Sequence, residues 1–217
     1  FDSQSPGEAL LLWGVTGSGK TEVYLQIAAK ELAAGRHCLI LAPEIGLIPQ
    51  LVDRFLRRFG SQVLEYHSGC SDRERVVAWR KGLNSVEPLV IVGTRSAIFV
   101  PLAPLGLIVL DEEHDSSYKQ QSPMPCYHAR DMALDRAKRT GAKVILGTAT
   151  PSLSTWKSLL PEGDVPYTPN DVPEGTDHTS LRKEQKYLYN FVKGGNDALN
   201  GIRRESMFIQ MLEGLHP

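Results

Sequence analysis

The run Gly14-Val15-Thr16-Gly17-Ser18-Gly19-Lys20-Thr21 fits the spacing GxxxxGK[ST] in full. That spacing suits phosphate handling. Glycines let backbone N–H groups turn inward around an anion, and a helix opening behind the loop adds its dipole. Gly14, Thr16, Gly17, Ser18 and Gly19 form the cradle. Lys20 reaches the β- and γ-phosphates, and Thr21 offers a hydroxyl to Mg²⁺. The second half of such a site is an acidic strand end, supplied by Leu107-Ile108-Val109-Leu110-Asp111-Glu112-Glu113-His114. Asp111 suits the Mg²⁺ shell, and Glu112 suits polarisation of an attacking water. Lys20, Asp111 and Glu112 are therefore the candidate catalytic residues. His114, inside the acidic cluster, is a candidate relay between nucleotide and nucleic acid.

Other loops end apolar runs in the same way. Thr148 and Thr150, in Gly147-Thr148-Ala149-Thr150-Pro151-Ser152, have hydroxyls that suit hydrogen bonds to the acidic cluster. The plainer reading of this run is a turn with Ser152 as a helix N-cap. Arg95, in Gly93-Thr94-Arg95-Ser96, suits a nucleic-acid phosphate. Pro43-Glu44-Ile45-Gly46 and His67-Ser68-Gly69 have the same potential. Between Asp115 and Asp131 aromatics alternate with cations: Tyr118 and Tyr127 suit stacking on an exposed base, and Lys119 and Arg130 suit phosphate. The plainer reading of these loops is an ordinary polar surface connection.

The elements that must position these residues are legible from periodicity. Leu10 to Trp13, Cys38 to Leu41, Leu89 to Val92, Leu107 to Leu110 and Val144 to Leu146 are near-continuous apolar runs. Such runs suit parallel strands covered on both faces. Helical patterns separate them: Thr21 to Ala34 before Gly35, Leu51 to Phe59 before Gly60, and His128 to Thr140 before Gly141. Ser71-Asp72-Arg73-Glu74 reads as a capping box opening a helix through Trp79. Alternation of strand and helix predicts an α/β fold with a mostly parallel, doubly wound sheet. From Pro161 the pattern stops. A Pro-rich linker over 161–180 and a short helical tail over 181–217 are expected, with residues 1–160 as the lobe.

Composition sets bounds. Of the 217 residues, 41% are hydrophobic and 23% charged, and the net charge is −1. That is the profile of a globular chain, without a global basic field, so nucleic-acid contact must come from local patches. The three cysteines, Cys38, Cys70 and Cys126, lack CxxC spacing. They predict neither a disulfide framework nor zinc in this chain. There is no signal peptide and no apolar run of membrane-spanning length, so a cytoplasmic, non-membrane protein is expected. A chain that opens on Phe1 reads as a fragment.

The motifs GVTGSGKTEVY, APEIGL, HSG, GTRSA, DEEHDSSYKQQ, YHARD and GTATPS, in this order, resemble the PriA family of bacterial superfamily 2 DNA helicases over about Leu11 to Leu159. The resemblance implies a RecA-like ATP-binding lobe that uses ATP and Mg²⁺. It implies forked or single-stranded DNA and primosome proteins as partners, and a bacterial cytoplasmic setting. It places Lys20 and Thr21 in the nucleotide-binding motif, Asp111, Glu112 and His114 in the DEEH box, and Thr148 and Thr150 in the third motif. The loop Asp115 to Arg130 resembles the aromatic-rich loop that couples DNA binding to hydrolysis. Where the family reads Pro-Arg-Tyr, this chain has Pro125-Cys126-Tyr127, one arginine fewer. A second motor lobe with its arginine finger and a zinc insertion are not found in the sequence, so slow hydrolysis by this chain alone is expected. The alternatives are a non-catalytic nucleotide- or DNA-binding module from a truncated or fused gene, or a passenger lobe on a protein-interaction tail. Residues 164–217 resemble a short uncharacterised family from T4-like phages.

Overall fold

A computed structural model describes residues 9–15, 17–152 and 155. The predicted linker and helical tail lie outside the described residues. The strands are β1 (Ala9–Trp13), β2 (His37–Leu41), β3 (Val63–Tyr66), β4 (Val90–Gly93), β5 (Leu105–Leu110), β6 (Lys119–Gln120), β7 (Tyr127–His128) and β8 (Lys143–Thr148). The helices are α1 (Lys20–Ala33), α2 (Ile48–Phe59), α3 (Asp72–Asn84) and α4 (Ala129–Thr140).

Six strands form one sheet in the order β1-β8-β5-β2-β4-β3, and every neighbouring pair is parallel. Strands β2 and β5 are buried along their whole length. Their unbroken apolar runs follow from cover on both faces. Helices α1 and α2 pack into one apolar cluster with Leu12, Cys38, Ile40 and Val109. On the other face, alanines of α3 and α4 pack with Leu39, Ile91, Ile108 and Val144. This is the doubly wound α/β arrangement expected from the alternation. The five strands anticipated from apolar runs are all present. Strand β3 was implied only by the loop His67-Ser68-Gly69 after it, with no bounds of its own: it is a sheet edge, with Glu65 exposed, so it lacks a continuous apolar run.

Helix boundaries follow local chemistry. The capping box at α3 is present: Glu74 N–H donates to Ser71 Oγ at 3.3 Å and Ser71 N–H to Glu74 Oε2 at 2.8 Å. The helix runs past Trp79 to Asn84. Helix α4 is capped by His128, whose Nδ1 accepts from Arg130 N–H at 3.2 Å, and it ends on Gly141 in the left-handed region. Helix α2 starts one turn earlier than its apolar pattern suggested, with proline in its first turn. Its buried stripe is Ile48, Leu51, Val52 and Phe55, a 3.6-residue period.

Because all six strands run the same way, their carboxyl ends share one sheet edge. The loops after β1, β2, β3, β4, β5 and β8 hold every motif singled out from the sequence, and open α/β sheets bind ligands at this edge. Phe55 is fully buried while its neighbour Leu56 is 44% exposed. Phe55→Ala should therefore cost about 3–5 kcal/mol in urea unfolding, and Leu56→Ala less than about 1 kcal/mol.

Candidate active site

The P-loop continues the sheet before it turns. Gly14 N–H donates to Thr148 O at 2.9 Å, extending the β1–β8 ladder. Gly17 and Gly19 then take φ of 79° and 94°. A Cβ at either would meet nothing within 4 Å, so the left-handed backbone is what calls for glycine there. Gly19 is the N-cap of α1, which leaves first-turn N–H groups open to an anion. The Ser18 hydroxyl is buried with no hydrogen-bond partner among the described residues. Lys20 is 7% exposed; its Nζ donates to Gly14 O at 2.8 Å and lies 3.5 Å from Glu112 Oε1. Thr21 is half-buried at the start of α1. Thr16 lies outside the described residues.

The acidic turn faces this loop. Asp111 N–H donates to Leu41 O at 2.9 Å, holding the tip of β5 to β2. Asp111 Oδ1 accepts from the Tyr24 hydroxyl at 2.9 Å. Burial raises the Asp111 carboxyl above the ordinary aspartate value, against the lowering pull of the Tyr24 hydrogen bond and of Lys20. Burial, then the Asp111 charge, pushes the Tyr24 phenol far up, so it stays a neutral donor. Glu112 adopts φ 48°, the one non-glycine residue with positive φ among the described residues. That is strained backbone at the position proposed to handle water. His114 Nδ1 lies 2.7 Å from Thr148 Oγ1 and 3.7 Å from Glu112 Oε2. Thr150 joins through its backbone N–H, which donates to Thr148 Oγ1 at 3.1 Å. Lys20, Asp111, Glu112, His114, Thr148 and Thr150 are thus brought together. The donor set fits a Mg²⁺-nucleotide: an open helix N-terminus, a lysine, an orphan buried hydroxyl and two carboxylates.

The following loop is built differently from its sequence reading. Tyr118 is a correction. It is fully buried, and its hydroxyl donates to Asp111 O at 2.6 Å and Leu41 O at 2.9 Å. It fastens the acidic turn from beneath and offers no ring to an exposed base. Arg130 is a second correction. Its side chain is 18% exposed and turns inward, with Nη1 donating to Thr155 Oγ1 at 3.1 Å and Ser152 Oγ at 3.4 Å. Arg95 braces the loop: its Nη1 donates to Ser117 O at 2.9 Å and Lys119 O at 3.1 Å. Its guanidinium carbon sits 5.9 Å from the Tyr127 ring centre. Tyr127 is half-buried, edge-on to Phe99. Lys119 is exposed. The pairs Lys119–His128 and Gln120–Tyr127 close the segment as an antiparallel ribbon.

Sequence reasoning missed Tyr24 and Glu113. Tyr24 stands one turn after Lys20 on the buried face of α1, a spacing that would have signalled it. Glu113 reaches Ser152 and Thr155, partners 39 and 42 residues away that no local pattern reports. Ser152 Oγ accepts Thr155 N–H at 3.2 Å; a helix that this contact would cap lies outside the described residues.

Asp111 has a definite linkage sign. Its folded-state pKa lies above the unfolded value, so the native state binds more protons between the two. Stability attached to this group is therefore present at acid pH and lost as pH rises through the folded pKa. Asp111→Asn should raise the melting temperature at pH 7.5, and the gain should vanish below about pH 4. Gly147 has a separate constraint. A Cβ there would lie 2.8 Å from Tyr24 Cζ and clash harder with its hydroxyl oxygen. Gly147→Ala should destabilise by about 1–3 kcal/mol in denaturant titration.

A family model described as DEAD/DEAH box helicase matches residues 1–159, and a family of unknown function (DUF6433) matches residues 152–217. Replication restart protein PriA of Synechocystis sp. is 58% identical over 150 residues, which cover 69% of this chain and 18% of that protein. PriA of Bacillus subtilis is 52% identical over 149 residues, again 69% of this chain and 18% of that protein. The Hef helicase domain of Pyrococcus furiosus is 26% identical with a TM-score of 0.49, covering 67% of this chain and 30% of that one. The chain spans about a fifth of the length of the curated relatives it matches. No helix among the described residues is long and apolar enough to cross a membrane. With a P-loop, a DEEH turn and a threonine-rich third motif on one sheet edge, the chain belongs to the DEAD/DEAH box helicase family, whose model matches residues 1–159.

Proposed function

We propose that residues 1–160 are the ATP-binding lobe of a replication-restart DNA helicase, coupling ATP hydrolysis to DNA binding. The observation that carries this reading is the meeting of Lys20, Asp111 and Glu112 beyond the ends of β1 and β5, which flank β8, with Glu112 3.5 Å from Lys20 and His114 tied to Thr148. In this reading Gly14, Thr16, Gly17, Ser18, Gly19 and Thr21 hold the phosphates and Mg²⁺, with Asp111 completing the metal shell. Bound Mg²⁺ supplies electrostatic stabilisation of phosphate charge. Lys20 leaves Glu112 for the phosphates, freeing that carboxylate to accept a proton from water. The His114–Thr148–Thr150 chain of hydrogen bonds joins the two edges of the site and suits a relay to bound DNA.

DNA, forked or single-stranded, runs in this reading along the loops after β2, β3 and β4. Lys119 and Tyr127 on the ribbon lie beside that path, and Arg95 braces the ribbon. Primosome proteins are the expected partners of the whole helicase, in the bacterial cytoplasm. The segments 161–180 and 181–217 are proposed as a linker and a separate tail, in keeping with the distinct family match that begins at residue 152.

The 217-residue chain is expected to bind Mg-ATP weakly and hydrolyse it slowly. In phosphoryl transfer an arginine finger contributes about 10³–10⁵ in kcat, and the cation that the P-loop itself supplies is Lys20. Lys20→Ala should abolish binding of labelled ATP. Glu112→Gln should preserve it while lowering hydrolysis by about 10²–10⁴. DNA-stimulated turnover at ordinary helicase rates from this chain would overturn the expectation of slow hydrolysis. Nucleotide binding with no hydrolysis in any variant would favour a non-catalytic module.

A further inference from the structure

Glu113 stands beside the two site carboxylates but faces away from the phosphate loop. Its residue is 2% exposed. Oε1 accepts Ser152 N–H at 2.8 Å. Oε2 accepts the Thr155 hydroxyl at 2.7 Å and the Ser152 hydroxyl at 3.3 Å. Arg130 Nη1 lies 4.0 Å from Oε2 and bonds the same two hydroxyls. Burying a carboxylate is costly unless it is paired and hydrogen-bonded, and here every contact goes to α4 or to the segment after β8. The backbone agrees with the side chain: Glu113 N–H donates to Gly147 O at 2.9 Å. Glu113 is thus tied at both ends to chain around β8.

The residue before it is Glu112, at φ 48°. A non-glycine residue persists there only when its surroundings over-determine it. On one side the turn is held by Asp111 N–H to Leu41 O and by Tyr118 beneath. On the other side the hold is Glu113. We infer that Glu113 is a positioning residue: its clasp on Ser152, Thr155 and Arg130 holds the strained turn that aims Asp111 and Glu112 into the nucleotide site. The inference rests on the reading of that site as one for Mg²⁺-nucleotide. A purely structural Glu113 would support the fold alone, and its loss would weaken nucleotide binding with and without metal alike.

The test uses the full 217-residue chain, N-methylanthraniloyl-ADP titrated with Mg²⁺ or with EDTA, and amide hydrogen exchange without nucleotide. Glu113→Gln keeps the volume and removes the charge. The Mg²⁺-dependent gain in affinity should fall about tenfold or more, the range for residues that orient metal ligands. Affinity in EDTA, set by the P-loop, should be unchanged. The Glu113 and Ser152 amides should exchange about tenfold faster, with β2 and β5 amides unaffected. Thr155→Val, which removes one donor and leaves the charge, should shift both readouts in the same direction. It carries the test if Glu113→Gln does not fold. Equal losses with Mg²⁺ and EDTA, or an unchanged Mg²⁺ gain, would overturn the inference. If the unsubstituted chain shows no Mg²⁺-dependent binding, the reading of the nucleotide site fails. The exchange arm then still decides whether Glu113 holds the turn.

Discussion

Parallel pairing of β8 with both β1 and β5 is the constraint on which the site depends. Its register sets Trp13 beside Thr148 and Leu110 beside Leu146. The P-loop and the acidic turn therefore leave the sheet on either side of one strand, the acidic turn two residues earlier along it. Parallel strands can do this because each is connected by a crossover that returns the chain to the opposite edge. With the three strand ends side by side, Lys20 meets Glu112, Tyr24 meets Asp111 and His114 meets Thr148 without a long loop. A short turn with few free dihedrals loses less entropy on ordering than a flexible one.

The site concentrates features that work against stability. Asp111 is buried enough to raise its pKa, Glu112 sits in left-handed backbone, and the Ser18 hydroxyl is buried without a partner among the described residues. At the acidic turn the cost is offset nearby rather than removed. The Tyr24 hydroxyl supports Asp111, Lys20 lies against Glu112, and Tyr118 closes the turn from below. The apolar clusters on both sheet faces supply the stability that lets the edge carry this strain. Away from the site, buried charge is handled more simply: Glu31 is paired with Arg36 and with Lys143.

The two corrected residues share one cause. Tyr118 and Arg130 sit in a polar stretch next to the acidic cluster, and in sequence an aromatic or a cation there reads as outward-facing. A tyrosine presents an apolar ring and one hydroxyl, so it suits an interior site that offers carbonyl acceptors. The adjoining tips of β2 and β5 offer two, at Leu41 and Asp111. Arg130 follows the N-cap His128, and the resulting first turn of α4 carries its side chain toward Glu113. Neither outcome has a local signature.

The P-loop, the acidic strand end, the five core strands, the helix order and the capping box at Ser71 are legible in the order of residues alone. Those are local facts: glycine where φ is positive, unbroken apolar runs where both faces are covered, and a side chain three residues from its cap. Strand order, the bounds of the edge strand β3, the inward turn of Tyr118 and Arg130, and the clasp of Glu113 on Ser152 and Thr155 emerge only when the chain is folded. The reason is range. These features pair groups far apart in the chain, and which pairs form is settled by packing that satisfies buried polar atoms together, beyond what the preferences of any one segment encode.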